Sequence, residues 1–227
     1  MWRFIYDTLQ KHFPAFDVDR WWGIPDPFAR IAGSILVQNT AWKNAHRALE
    51  RLAQEGLLEP EKLAWAVPER IADVIRPAGF QQAKSAALVR ISRWIVERGG
   101  MAALLKADGP TDTLRRELLG LKGIGPETAD TILAYVLGRP TISGDAYSRR
   151  LFERLTGQSL SYEEIRQQMR NDLQETEELQ RLHGLIVEHG KAYCLKRKPR
   201  CASCLFADRC MAASSTSFHH ATEQPRG

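Results

Sequence analysis

The chain has 227 residues, 44% of them hydrophobic, with 32 Lys and Arg against 27 Asp and Glu for a net charge of +5 and a pI near 9.1. That length holds one large domain or two small ones, and the mild positive balance favours a polyanionic partner without demanding one. No apolar run is long enough to span a membrane, and the N-terminal residues lack the apolar core of a secretion signal.

In chain order the sequence reads as all-helical. Apolar residues recur near the helical period over 28–37, 43–54, 61–66, 69–75, 82–98, 112–119, 128–137, 146–155, 163–172 and 177–190. The breaks fall at Pro25 and Pro27, Gly56, Pro68, Pro77 with Gly79, Gly99-Gly100, Gly109-Pro110 and Gly138 with Pro140. No alternating stretch is long enough for a sheet, and no internal repeat is present. From Met211 on, Ser, Thr, His and Gly dominate, and the tail 211–227 is expected to be disordered.

Between the helices of 112–119 and 128–137 lies Leu121-Lys122-Gly123-Ile124-Gly125-Pro126-Glu127-Thr128-Ala129-Asp130. Gly123 and Gly125 flank one apolar residue, so the backbone can turn sharply and come close to a ligand. Pro126 suits the first turn of a helix, where its missing N–H is no loss. Free N–H groups at such a turn suit a phosphate. This is the pattern of a helix-hairpin-helix, which grips a nucleic-acid backbone without reading sequence. A monovalent cation on the hairpin carbonyls is expected to support that grip, and Gly125→Ala is expected to disturb the turn. Twenty residues past Gly125 comes Gly144-Asp145-Ala146-Tyr147, a lone carboxylate after an apolar stretch.

Cys194, Cys201, Cys204 and Cys210 are the only cysteines, spaced C-x6-C-x2-C-x5-C. Disulfides need an oxidising compartment, and nothing in the sequence points to one. Four thiolates suit tetrahedral zinc or a [4Fe–4S] cluster, and the spacing alone leaves both open. Lys191, Lys196, Arg197, Lys198 and Arg200 crowd this loop. A charge run is usually a solvated face; a metal-pinned loop would hold these charges in place for phosphates.

These motifs, in this order, resemble the endonuclease III superfamily of DNA glycosylases, the helix-hairpin-helix-Gly-Pro-Asp group, over about residues 21–210. Two further segments carry the resemblance. Ser34-Ile35-Leu36-Val37-Gln38-Asn39-Thr40 is similar to the family's helix and loop with an intercalating glutamine, and Arg76-Pro77-Ala78-Gly79-Phe80-Gln81-Gln82-Ala83-Lys84 also matches. The resemblance implies a six-helix barrel with the helix-hairpin-helix over about 24–138, and a second helical domain in which 1–23 meet 139–210. It implies DNA across the cleft between them, and it tips the metal choice to a [4Fe–4S] cluster.

The departures narrow the match. Endonuclease III itself has a Schiff-base lysine after the hairpin; here Glu127 stands there, and a carboxylate forms no imine. The adenine-mismatch branch has an acid four residues before the glutamine; here that place is Ser34. The bacterial 3-methyladenine DNA glycosylase branch is similar at Glu127, at Trp21-Trp22, at Trp42 and at Asp145-Ala146-Tyr147-Ser148. Members of that branch can lack the cluster, so this chain, with all four cysteines, is a mixed type.

The resemblance implies a base-excision-repair glycosylase, monofunctional and specific for alkylated purines. Gln38 would fill the hole left by the flipped base. Trp21, Trp22 and Trp42 would wall a pocket in which a cationic base stacks on indole. Asp145 would stabilise the oxocarbenium sugar and orient water, while also serving as a helix N-cap. Glu127 serves either the pocket or the helix dipole. Lys122, Gly123, Gly125, Lys191, Lys196, Arg197 and Lys198 would meet DNA beside Gln38. His183 and His189 read as structural or as phosphate neighbours. Two other classes stay open: a bifunctional glycosylase and AP lyase for oxidised pyrimidines, using an amine such as Lys122, and a non-catalytic damage-binding module. The expected partner is duplex DNA with a damaged base, met by a monomer in a bacterial cytoplasm at the nucleoid, with no membrane.

Overall fold

The computed structural model describes residues 1–214. They form helices α1 (Trp2–His12), α2 (Val18–Trp22), α3 (Pro27–Leu36), α4 (Trp42–Gln54), α5 (Pro60–Leu63), α6 (Pro68–Val74), α7 (Gln81–Glu97), α8 (Met101–Leu105), α9 (Thr111–Gly120), α10 (Pro126–Tyr135), α11 (Ala146–Thr156), α12 (Tyr162–Asp172) and α13 (Thr176–Ala192). No strand occurs among the described residues. Two helical units result: Trp22–Thr141, and Met1–Trp21 joined by the chain from Ile142 on.

In the unit Trp22–Thr141, α3 is the central element. Asp26 caps it by accepting the Ala29 N–H at 2.6 Å, and Pro27 opens its first turn. Every residue from Phe28 to Leu36 except Arg30 is then buried. Such an all-round apolar helix belongs in the middle of a core, and α4, α7 and α10 pack on it. Lys84 is buried with them and donates to the carbonyls of Leu36 and Ala78, each at 2.8 Å. The end of α3 is thereby fixed beside the 3-10 turn Arg76–Ala78.

The other unit is built on α13. Helices α1 and α11 pack against it, and α1 also meets α12. Trp2, Ile5 and Leu9 of α1 join Phe152, Ile165, Met169 and Leu185 in one core, with Trp2 stacked on Phe152 at 5.8 Å. Ser161 and Glu164 form a reciprocal capping box at the start of α12. Gly184 and Gly190 leave room on α13 for two rings. A Cβ at Gly184 would stand 2.4 Å from Phe16, and one at Gly190 would stand 2.3 Å from Tyr147.

Three helices were not expected. α1 carries its apolar residues at i, i+3, i+4 and i+7, a legible pattern, whereas α2 and α8 are five-residue pieces too short for periodicity to register. The expected disorder from Met211 is corrected over 211–214. These residues make a helical turn, with the Ala213 and Ser214 N–H groups bonded to the Cys210 carbonyl and Ala213 buried. The rest of that expectation, 215–227, lies outside the described residues.

Candidate active site and cysteine loop

The hairpin joins α9 to α10. Ile124 is buried, and its N–H closes on the Leu121 carbonyl at 2.9 Å. Gly123 has φ +99°, and a Cβ there would stand 2.8 Å from the Cβ of Ala87, so glycine is required on both counts. Gly125 differs: its φ is −91° and a Cβ would meet open space. The expectation that Gly125→Ala disturbs the turn is therefore corrected, because an alanine there strains nothing. Lys122, Gly123, Gly125 and Glu127 are all exposed, and Glu127 lies in the first turn of α10. The carbonyls of Leu121, Lys122 and Gly123 each accept one hydrogen bond, from Ile124, Arg90 and Gln38. Behind the turn, Arg115 of α9 binds buried Asp130 of α10 through two bonds of 2.9 Å, which clamps the two helices together.

Gln38 comes to this hairpin. Its amide nitrogen donates to the Gly123 carbonyl at 3.2 Å and to Thr128 Oγ1 at 2.9 Å. Nothing in the sequence foretold that link. Ser34 is buried and donates to the Ile31 carbonyl of its own helix at 2.7 Å. Trp22 and Trp42 meet edge to face at 5.5 Å, and Tyr135 lies 5.4 Å from Trp22. Tyr135 was not foreseen. Its place at the last turn of α10 gives no sequence signal beyond an aromatic on an apolar face.

Asp145 and Trp21 belong to the other unit. Asp145 is the N-cap of α11, and its Oδ1 accepts the Ser148 N–H at 2.8 Å. Gly144 before it is dictated by packing, since a Cβ would stand 2.3 Å from the Tyr162 carbonyl oxygen. Most caps lie at the surface; Asp145 is only 6% exposed. Its second oxygen, Oδ2, lies 3.5 Å from Nε2 of His183 on α13, itself buried. Burial alone would push the carboxyl up, but the His183 and Ser148 contacts outweigh it and hold Asp145 below the ordinary carboxylate range. Asp145 is therefore ionised at neutral pH. Trp21 packs its ring edge-on to His183 at 6.2 Å and donates its indole N–H to Glu188 at 2.9 Å. The expected DNA contact Lys191 is bonded to Glu188 at 2.9 Å, with its ammonium 5.9 Å from the Trp21 ring centre.

The four cysteines are free and line one cavity of about 100 Å³, together with Leu151, Pro199 and Phe206. Arg154 of α11 donates to Cys194 Sγ at 3.2 Å, and to the carbonyls of Leu195 at 2.8 Å and Lys196 at 3.2 Å. His189 Nε2 lies 3.3 Å from Cys204 Sγ, and burial pulls this imidazole down to about 4, so it is neutral. Burial also pushes the Cys204 thiol up. No three metal-ligating side chains among the described residues gather closely enough for a single ion. Four sulfurs spaced around a shared cavity, one of them accepting from Arg154, fit a multi-iron group better than one tetrahedral ion. Lys196, Arg197, Lys198 and Arg200 are all exposed on this loop.

A family model described as the HhH-GPD superfamily base excision DNA repair protein matches residues 32–175. A protein of Methanocaldococcus jannaschii that carries the name of a DNA repair glycosylase is 38% identical, over 92% of this chain and 96% of its own length. The H. pylori 3-methyladenine DNA glycosylase, solved bound to 1,N6-ethenoadenine, superposes with a TM-score of 0.70 at 26% identity, over 82% of this chain and 97% of that one. A non-covalent endonuclease III–DNA complex gives a TM-score of 0.78 at 21% identity, over 95% and 96%, a likeness of fold. No helix among the described residues is long and apolar enough to cross a membrane.

Proposed function

This chain belongs to the HhH-GPD superfamily of base excision DNA repair proteins and is a DNA glycosylase, and on that premise we propose that it is monofunctional, hydrolysing the N-glycosidic bond of alkylated purines such as 3-methyladenine in duplex DNA. The observation that carries this reading is Asp145, a buried carboxylate kept ionised, in a chain whose hairpin is followed by exposed Glu127 instead of an amine. A fixed negative charge stabilises the oxocarbenium sugar as the base departs and orients the attacking water. The target base is flipped out of the stack. An alkylated purine is cationic, so it stacks favourably on indole and leaves as a neutral base without a strong general acid. The half-buried Trp42 with its neighbours Trp22 and Tyr135 supports that preference, as does the buried, internally bonded Ser34 where the adenine branch has its acid. Glu127 fits the positive end of the α10 dipole.

The hairpin with Gln38, and the basic residues of the cysteine loop, are read as the DNA contacts. Cys194, Cys201, Cys204 and Cys210 would hold a [4Fe–4S] cluster. When bound, the cluster supplies a thiolate-ligated iron centre that covalently staples the loop. Purified protein should be yellow-brown, with iron and sulfide released on acidification; a colourless protein with one zinc overturns the assignment. The reaction is tested with a panel of damaged duplex oligonucleotides, incubated with and without alkali. Release of 3-methyladenine with strand breaks only after alkali is expected. Release of oxidised pyrimidines, with breaks before alkali and borohydride trapping, would instead select the lyase reading with Lys122 as the amine.

A further inference from the structure

The N-cap bond from the Ser148 N–H to Oδ1 would satisfy Asp145 as a cap at the surface. It does not account for an ionised carboxylate that is 6% exposed, since a buried charge needs a full set of partners. The second oxygen has one imidazole partner, His183, at 3.5 Å. We propose that His183 is a positioning residue for this glycosylase, holding Asp145 Oδ2 so that the carboxylate stays charged and aimed at the reacting sugar, and that Trp21 fixes the His183 ring. The inference rests on the glycosylase reading at Asp145.

The geometry is built from α13 alone once Trp21 is docked. The indole edge abuts His183, and its N–H is tied to Glu188, five residues further along the same helix. Lys191 closes that end by pairing with Glu188. The indole beside His183 is thus held through its N–H, and it limits how far the imidazole can turn away from Asp145. Tyr162 of α12 approaches through its backbone at Gly144, and its hydroxyl lies 3.4 Å from Ser143 Oγ. Glu188 and Lys191 stand beyond the Trp21 ring, paired with each other. A staple joining α13 to the start of α11 is the plain structural role for such a pair. It would affect stability and leave the pH profile of the reaction alone.

The test uses the full chain and single-turnover base release from methylated duplex DNA between about pH 3.5 and 8. His183→Leu should raise the midpoint of the acidic limb by about one pH unit or more, since a hydrogen bond to a charged group is lost. His183→Gln keeps an N–H within reach of Oδ2 and should restore most of the wild-type midpoint. Should His183→Leu not fold, His183→Asn, too short to reach, takes its place. A wild-type midpoint in the Leu or Asn variant, with only the melting temperature lowered, overturns the proposal. Melting temperature against pH supplies a readout free of activity. In the wild type Asp145 titrates below its unfolded value, so its contribution is present above about pH 4 and is lost on acidification through the folded value. Without His183, the Ser148 contacts alone oppose burial, so the carboxyl titrates higher than in the wild type. The variant should therefore be weakest relative to wild type at neutral pH, with the gap narrowing as the pH falls below the ordinary carboxylate range. A gap constant across that range refutes the pairing. Absence of base release by the wild type, or full turnover by Asp145→Asn, would instead refute the glycosylase reading at Asp145.

Discussion

Asp145→Asn keeps the volume and the Oδ1 acceptor that caps α11 and removes the charge. DNA binding should survive while single-turnover base release falls by about 10²–10³-fold, the scale of losing one electrostatic contact to a transition state. Two glycines of the hairpin should separate just as cleanly. Gly123→Ala forces a side chain into φ +99° and against Ala87. It should lose at least about 1–2 kcal/mol of stability in denaturant unfolding. Gly125→Ala should melt with the wild type, so any loss of DNA affinity it shows reports close approach of the phosphate to the backbone. In the sequence these two glycines look equivalent. They differ because one faces α7 and the other faces open space, and a neighbour such as Ala87, distant in the chain, leaves no trace in a local motif. His183 was hidden for the same reason. The motif around Asp145 is contiguous and legible, whereas its partner is a lone histidine on a helix with a mixed face.

Among the elements, the cysteine loop invites the most direct measurement. Its backbone is already tied to α11 by Arg154, at Leu195 and Lys196. Removing a charge from it should therefore leave its course unchanged. Lys198→Ala should weaken binding about equally for all DNA sequences, and the slope of log affinity against log salt should fall by about 1 if the ammonium meets a phosphate. An unchanged slope assigns that lysine to solvent. Long helices with one apolar face, such as α4 and α7, were readable from their periodicity because one face alone is buried. α3 was readable too, from its length between Pro27 and the Gln38 loop. The link between Gln38 and the hairpin was not. Each half of it is a recognisable segment, but a hydrogen bond between segments is a tertiary fact.

At the scale of the molecule, the all-helical class followed from the absence of alternating stretches and the regular Pro and Gly breaks. The apolar spacing of α1 is legible in the sequence; what the sequence concealed was its partners, which lie at the far end of the chain. Asp172 binds the N-terminal ammonium at 2.8 Å and the Trp2 N–H at 2.7 Å. Burial pushes this carboxyl up, but those donors prevail and hold it below its ordinary range. Its stabilising share is thus present above the unfolded carboxylate value and is lost as pH falls through the folded one. Asp172→Asn should lower the melting temperature by roughly 2–4 °C at pH 7, given about 1 kcal/mol for a half-exposed pair in a chain of this size, with the difference shrinking as the pH falls below the ordinary carboxylate range. The same contact has a consequence for synthesis on the ribosome. Trp2 and Asp172 are 170 residues apart, and at roughly 5–20 residues per second α1 waits on the order of ten to thirty seconds for its partner. During that interval Trp2, Ile5 and Leu9 are an unsheltered apolar stripe on the nascent chain, while Trp22–Thr141 emerges whole and free to fold. Until α11 to α13 are made, that stripe is open to capture by a chaperone.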